Sequence, residues 1–69
     1  MKLLFSERLR NLRIDANLTQ SQLADILNTT QRRISYFEMD KVEPDLTTLC
    51  SIAKFFDVTT DYLLGITDY

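Results

Sequence analysis

Residues 19 to 38, TQSQLADILNTTQRRISYFE, constrain this chain more than any other segment. They carry two short helical patterns separated by a turn too tight for an ordinary loop. The first opens on Thr19 as N-cap with Gln22 three residues later, a capping box, and Leu23, Ala24, Ile26 and Leu27 give it a buried side. It stops at Asn28. Thr30 caps the second, in which Ile34 and Phe37 face inward while Gln31, Arg32, Ser35 and Tyr36 fall on the opposite face. A polar, partly cationic surface is left outside.

The rest of the chain follows the same helical period. No alternating β-branched run is bounded by turn residues, and there is no repeat or low-complexity segment, so the expected class is all-α. A helix from about Ser6 to Ala16 carries Phe5, Leu9 and Leu12 at helical spacing. A fourth starts after Pro44 with Asp45 as its cap, and Leu46, Leu49, Cys50, Ala53 and Phe56 are its expected core stripe. A fifth, Thr60 to Leu64, is capped by Thr59 and ended by Gly65. A chain of 69 residues buries only roughly 60% of the surface it exposes when unfolded, which leaves space for one core over residues 1–69 and none for an enclosed catalytic cleft.

Composition excludes several chemistries. With one cysteine and no histidine, an internal disulfide and a cysteine or histidine zinc site are ruled out, and the ten carboxylates show no loop spacing of the EF-hand kind. No nucleophile–base pair and no glycine-rich phosphate loop supports an enzyme, and neither a cofactor nor a metal is expected. No apolar stretch approaches the ~20 residues of a spanning helix, and Leu3, Leu4 and Phe5 are too few for a signal-peptide core, so the expected compartment is the cytoplasm. The free thiol suits that reducing environment, with Cys50 read as a core filler beside Leu49 and Ala53.

A net charge of −2 argues at first against nucleic acid. Its distribution does not. Residues 1–41 carry seven basic side chains against five acidic ones, a net of +2, whereas residues 42–69 carry Lys54 against Glu43, Asp45, Asp57, Asp61 and Asp68, a net of −4. The half with the paired short helices is the positive one, and such a dipolar molecule can orient on a phosphate backbone with modest, salt-sensitive affinity.

Four pieces in order, Phe5, ERLRNLR (residues 7–13), LTQSQLA (18–24) and VTTDYLLG (58–65), resemble the phage repressor and Cro-like, or XRE-type, family of bacterial DNA-binding proteins. The resemblance covers nearly the whole chain. It implies a compact five-helix, lambda-repressor-like DNA-binding domain whose helix-turn-helix, about residues 19–39, is formed by helices two and three. Family members usually place glycine at the end of helix one and in the turn of the motif. Here those positions hold Asn17 and Asn28, the best non-glycine residues for left-handed backbone, and positive φ is expected at both.

An α-helix fits the major groove of B-DNA, and the first residues of a recognition helix reach base edges. Over the recognition helix 31–39, Gln31 and Arg32 are therefore the first candidates for base readout: glutamine pairs with adenine N6 and N7, and arginine forks onto guanine O6 and N7. Ser35 and Tyr36 lie one turn further along. The resemblance implies that the start of helix two abuts a phosphate, which assigns phosphate contacts to amides near Thr19 and Gln20 and to the Gln20 side chain, with Thr30, Arg33, Lys41 and Arg10 as further candidates. Lys41 sits in the loop MDKVEPD (39–45), where relatives commonly have a glycine and a basic residue. Asp40 and Glu43 here repel phosphate instead.

The resemblance also implies a structural ion pair between Arg13 and Glu38, linking helix one to the end of helix three. Tyr62, Leu64, Ile66 and Tyr69 form an apolar cluster larger than one small core absorbs, and similar proteins dimerise through this end. The expected function is sequence-specific double-stranded DNA binding by a transcriptional regulator, repressor-like, acting as a homodimer on a pseudo-palindromic operator. The expected location is the cytoplasm of a bacterium, or of one carrying a phage, with nucleoid association when bound. Two alternatives are an antitoxin with a protein partner on the acidic C-terminal half, and a protein-interaction module that kept the fold with little DNA affinity.

Overall fold

A computed structural model describes residues 3–69. It contains α1 (Phe5–Asp15), α2 (Gln20–Ile26), α3 (Gln31–Glu38), α4 (Leu46–Phe56) and α5 (Thr60–Leu64), with no strand among the described residues. Local chemistry accounts for the boundaries. Thr19, Thr30, Asp45 and Thr59 each adopt an extended conformation and accept the N–H three residues on, at Gln22, Arg33, Thr48 and Tyr62, satisfying one donor that the helix cannot. At Thr19 the box is complete, since Gln22 Oε1 accepts the Thr19 N–H at 2.9 Å. Only α1 lacks a side-chain cap, and it starts one residue before the expected Ser6.

Every helix ends by the same device. Asn17, Asn28, Asp40, Asp57 and Gly65 all have φ between 55° and 83°. Each donates its N–H three residues back, to Ile14, Asp25, Phe37, Lys54 and Tyr62. The following residue donates five back: Leu18 to Arg13, Thr29 to Ala24, Lys41 to Tyr36, Val58 to Ala53 and Ile66 to Asp61. These are Schellman motifs, which satisfy the last free carbonyls and reverse the chain within a residue or two. The positive φ expected of Asn17 and Asn28 is present, at 59° and 60°. The single glycine stands where freedom from a side chain is needed twice over. Gly65 has φ 83°, and a Cβ there would lie 2.7 Å from the Leu4 side chain, because Leu4 N–H docks on the Leu64 carbonyl at 3.1 Å.

All five helices contribute to one core: Phe5 and Leu9 from α1, Leu23 and Ala24 from α2, Ile34 and Phe37 from α3, Leu49, Ile52 and Ala53 from α4, and Leu63 from α5. Phe37 is fully buried and meets Phe5 edge-on, ring centroids 5.8 Å apart. Burial of such a side chain contributes about 1.5–3 kcal/mol, and this pair ties α3 to α1.

Three expected core residues are not in the core. Cys50 is exposed, Leu46 is 80% exposed, and Ile26 is 45% exposed. On α4 the buried arc is set by Leu49, Ile52, Ala53 and the half-buried Phe56. At about 100° per residue, Cys50 points about 110° from the centre of that arc and Leu46 about 70° from it. Ile52, about 160° around the helix from Cys50, is fully buried where Cys50 is exposed. On α2, Ile26 lies in the last turn and projects past the core, while Leu23, Ala24 and the partly buried Leu27 pack inward.

Candidate nucleic-acid interface

The tight turn places the first residues of α3 beside the first residues of α2, and their side chains are tied together. Gln31 Nε2 donates to Gln20 Oε1 at 2.6 Å, and Gln20 Nε2 donates to Glu38 Oε1 at 3.1 Å. Glu38 also holds Arg13, whose Nε donates to Oε2 at 2.6 Å and whose Nη2 donates to Oε1 at 3.0 Å. Arg13 Nη1 donates to the Leu18 carbonyl at 2.8 Å. The Arg13 and Glu38 side chains are 14% and 4% exposed. Their hydrogen bond and mutual attraction outweigh the desolvation of the guanidinium, so the Arg13 pKa rises above its ordinary value. Four polar side chains from α1, α2 and α3 thus form one connected chain, with Gln31 at its exposed end.

Of the residues expected to read bases, Gln31 and Arg32 are exposed at the start of α3. Arg32 makes no side-chain hydrogen bond or ion pair among the described residues. Ser35 and Tyr36 are half-buried, and the Lys41 Nζ lies 5.7 Å from the Tyr36 ring centroid. They sit further back than the first two.

The expected phosphate contacts are in unequal states. The Thr19 amide is taken by Gln22 in the capping box, which moves the open backbone donors of α2 to Gln20 and Ser21, whose N–H groups have no acceptor within the helix. The Gln20 side chain is committed at both ends, and the Thr30 hydroxyl accepts from Arg33 N. Arg33 is held by α4: its Nη2 donates to Asp45 Oδ1 at 2.8 Å, and its guanidinium lies 5.2 Å from the Phe37 ring centroid. Arg10 and Lys41 are exposed, and Lys41 follows the left-handed Asp40.

The four C-terminal apolar residues divide in two. Leu64 packs partly against the core. Tyr62 is half-buried under Arg8, whose guanidinium lies 4.2 Å from the ring centroid. Ile66 and Tyr69 are 55% and 91% exposed. Arg8 was not singled out by the sequence, yet it ties this end down: its Nη1 donates to the Tyr62 and Thr67 carbonyls, both at 2.7 Å, and its Nη2 to Asp68 at 3.2 Å. These partners lie more than fifty residues away, and no local pattern announces them.

The matching proteins fit this geometry. The helix-turn-helix family profile matches residues 9–63. A transcriptional activator of the helix-turn-helix type from Enterococcus faecalis, BcrR, is 47% identical over 61 residues, covering 88% of this chain and 30% of that protein. A transcriptional regulator from Listeria innocua superposes with a TM-score of 0.89 at 29% identity, covering 94% of this chain and 61% of that one. The P22 c2 repressor, solved in complex with a synthetic operator, superposes with a TM-score of 0.82 at 28% identity, covering 87% of this chain and 91% of that one. The chain spans 30% to 58% of the length of the curated relatives it matches. No described helix is long and apolar enough to cross a membrane.

Proposed function

The chain belongs to the helix-turn-helix family, and from that premise we propose that residues 1–69 are the sequence-specific, double-stranded DNA-binding domain of a repressor-like transcriptional regulator. The observation that carries this reading is the exposed start of α3, with Gln31 and Arg32 beside the free amides of α2, in the fold shared with the operator-bound P22 c2 repressor. In the proposed complex α3 lies in the major groove, Gln31 meets adenine and Arg32 meets guanine, each good bidentate pair supplying about 1–3 kcal/mol of discrimination. The Gln20 and Ser21 amides, Lys41 and Arg10 meet phosphates and set the register. Arg33 joins them only by leaving Asp45. Ser35 and Tyr36 supply secondary contacts to thymine methyls or phosphate. The working location is the bacterial cytoplasm, on the nucleoid.

Two copies pairing through the C-terminal end would present two recognition helices ~34 Å apart, one turn of DNA. Ile66 and Tyr69 are the exposed members of that surface, while Leu64 packs partly against the core and Tyr62 is half-buried under Arg8. Sedimentation with and without DNA tests this arrangement: Ile66→Ser should weaken the dimer, and a parent chain that stays monomeric on its operator at high concentration overturns it.

The decisive experiment selects binders from a random duplex library and titrates the best and a scrambled duplex at several salt concentrations. A two-fold symmetric site, with Arg32→Ala relaxing preference at one symmetry-related position, is the expected result. Weak binding without enrichment, vanishing as salt rises, would reduce the interaction to general electrostatics and overturn the proposal.

A further inference from the structure

Glu38 lies at the root of the hydrogen-bonded chain that ends on Gln31, and we propose that it decides which face of the Gln31 amide meets DNA, making it a positioning residue for adenine over guanine. The inference rests on the reading of Gln31 as a base contact.

The argument is one of donors and acceptors. A carboxylate held in an ion pair only accepts, and both Glu38 oxygens are occupied by Arg13. The end of the Gln20 amide that reaches Glu38 Oε1 must therefore be its NH2 group, which turns its carbonyl oxygen toward Gln31. That oxygen also only accepts, so Gln31 must offer its own NH2 and commit one proton at 2.6 Å. What Gln31 has left is a carbonyl oxygen and one N–H, an acceptor beside a donor. Adenine presents the complement in the major groove, the N6 donor beside the N7 acceptor. Guanine presents two acceptors, O6 and N7, one of which would face the Gln31 oxygen lone pair to lone pair. With the chain reversed, Gln31 would accept from Gln20 and offer two N–H groups, the match for guanine. The polarity is set at the carboxylate, two side chains from the base.

A glutamine at position 38 keeps the size of the side chain and can donate, which allows the whole chain to reverse. Gln20→Met removes the link between Glu38 and Gln31 while leaving the Arg13–Glu38 pair in place, so it tests the same idea without touching the ion pair. The experiment uses the 69-residue chain and its selected duplex, with each A·T pair replaced in turn by G·C, and reads the ratio of the two Kd values at each position. The parent should prefer adenine at one position of each half-site, and Gln31→Ala should abolish that preference. Glu38→Gln and Gln20→Met should each shrink it at least about fivefold, with the preference due to Arg32 unmoved. A purely structural Glu38 would weaken binding to all duplexes alike and leave the ratio intact. An unchanged ratio in both variants, with Gln31→Ala abolishing it, overturns the positioning role and keeps the base contact. If Gln31→Ala moves no ratio, the base contact fails and the positioning role fails with it.

Discussion

The α2–α3 face and the α4–α5 end of this molecule leave different kinds of surface exposed. On the first, four polar side chains are ordered before anything binds: Gln31, Gln20, Glu38 and Arg13 hold one another in a connected chain, while Arg32 beside them has no side-chain partner among the described residues. On the second, apolar groups stand without partners. Leu46, Ile66 and Tyr69 are largely exposed, and Leu46, Leu49 and Leu64 line one side of a groove of about 410 Å³ whose other side, from Leu3, Phe5 and the loop before α4, includes the acids Asp40 and Glu43. The difference matches what the proposed complex asks of each surface. Reading a base needs donors and acceptors at fixed positions, and a side chain ordered in advance avoids an entropic cost of about 0.5–1.5 kcal/mol on binding. An apolar surface needs only complementary shape and area. The positive half is thus organised for hydrogen bonding and the acidic half for packing.

The largest effect should come from breaking the ordered side. Glu38→Ala leaves Arg13 charged and largely shielded from water, and should cost about 3 kcal/mol in urea unfolding, the lower end of the range for a buried pair because Arg13 keeps some access to solvent. The matching change at the other end, Asp68→Asn, should leave the unfolding midpoint where it was. Asp68 is almost wholly exposed, and Arg8 keeps its bonds to the Tyr62 and Thr67 carbonyls. Equal losses from the two variants would dissolve the contrast.

Next comes the contact that joins α1 to α5. Gly65→Ala places a methyl group against Leu4 at a residue with φ 83°, and should destabilise by about 1–3 kcal/mol. Thermal unfolding of the two proteins side by side measures it. The other left-handed positions should respond in the opposite sense. Asp57→Gly relieves backbone strain at φ 55° and should stabilise by up to about 1 kcal/mol. Asp40→Gly should stabilise similarly and also remove an acid beside Lys41, which raises affinity for DNA of any sequence. A loss of stability in Asp57→Gly would mean that the side chain contributes more than its conformation costs.

The pattern of these effects follows what the chain announces locally. The caps at Thr19, Thr30, Asp45 and Thr59 and the left-handed Asn17 and Asn28 were legible because each depends on a residue and its neighbours within five positions. The face of α4 was not. Leu46, Leu49, Cys50, Ile52, Ala53, Phe55 and Phe56 put apolar groups around most of the helix, and two registers fit almost equally well; only the tertiary core, which Ile52 joins and Cys50 does not, chooses between them. The site divides likewise. Gln31 and Arg32 follow from their place at the start of a helix, whereas the Gln20 bonds to Gln31 and Glu38 span 11 and 18 residues and depend on the angle between helices. Arg33 has the composition of a phosphate contact, but the fold brings Asp45 within reach of it.

That last pair supplies the smallest predicted effect and the finest division between the two regions. Asp45 caps α4 and lies against Arg33 of α3. The Thr48 hydroxyl first, and then the Arg33 guanidinium, hold its carboxyl below the ordinary aspartate value of about 3.9. A depressed folded pKa stabilises the native state fully above the unfolded value and ceases to do so as pH falls through the folded one. The melting-temperature advantage of the parent over Asp45→Asn should therefore be largest near about pH 6 and shrink toward about pH 3. Asparagine caps a helix as well as aspartate does, so α4 keeps its start and the change isolates the charge. The same variant removes the charge that holds Arg33, leaving at most a neutral amide oxygen for its Nη2 to bond. If the guanidinium then reaches a phosphate, binding to every duplex should strengthen and the salt dependence should steepen by about one counterion per site. If affinity and salt dependence both stay at the parent's values, Arg33 braces α3 against α4 and belongs, despite its place on the recognition helix, to the packed half of the molecule.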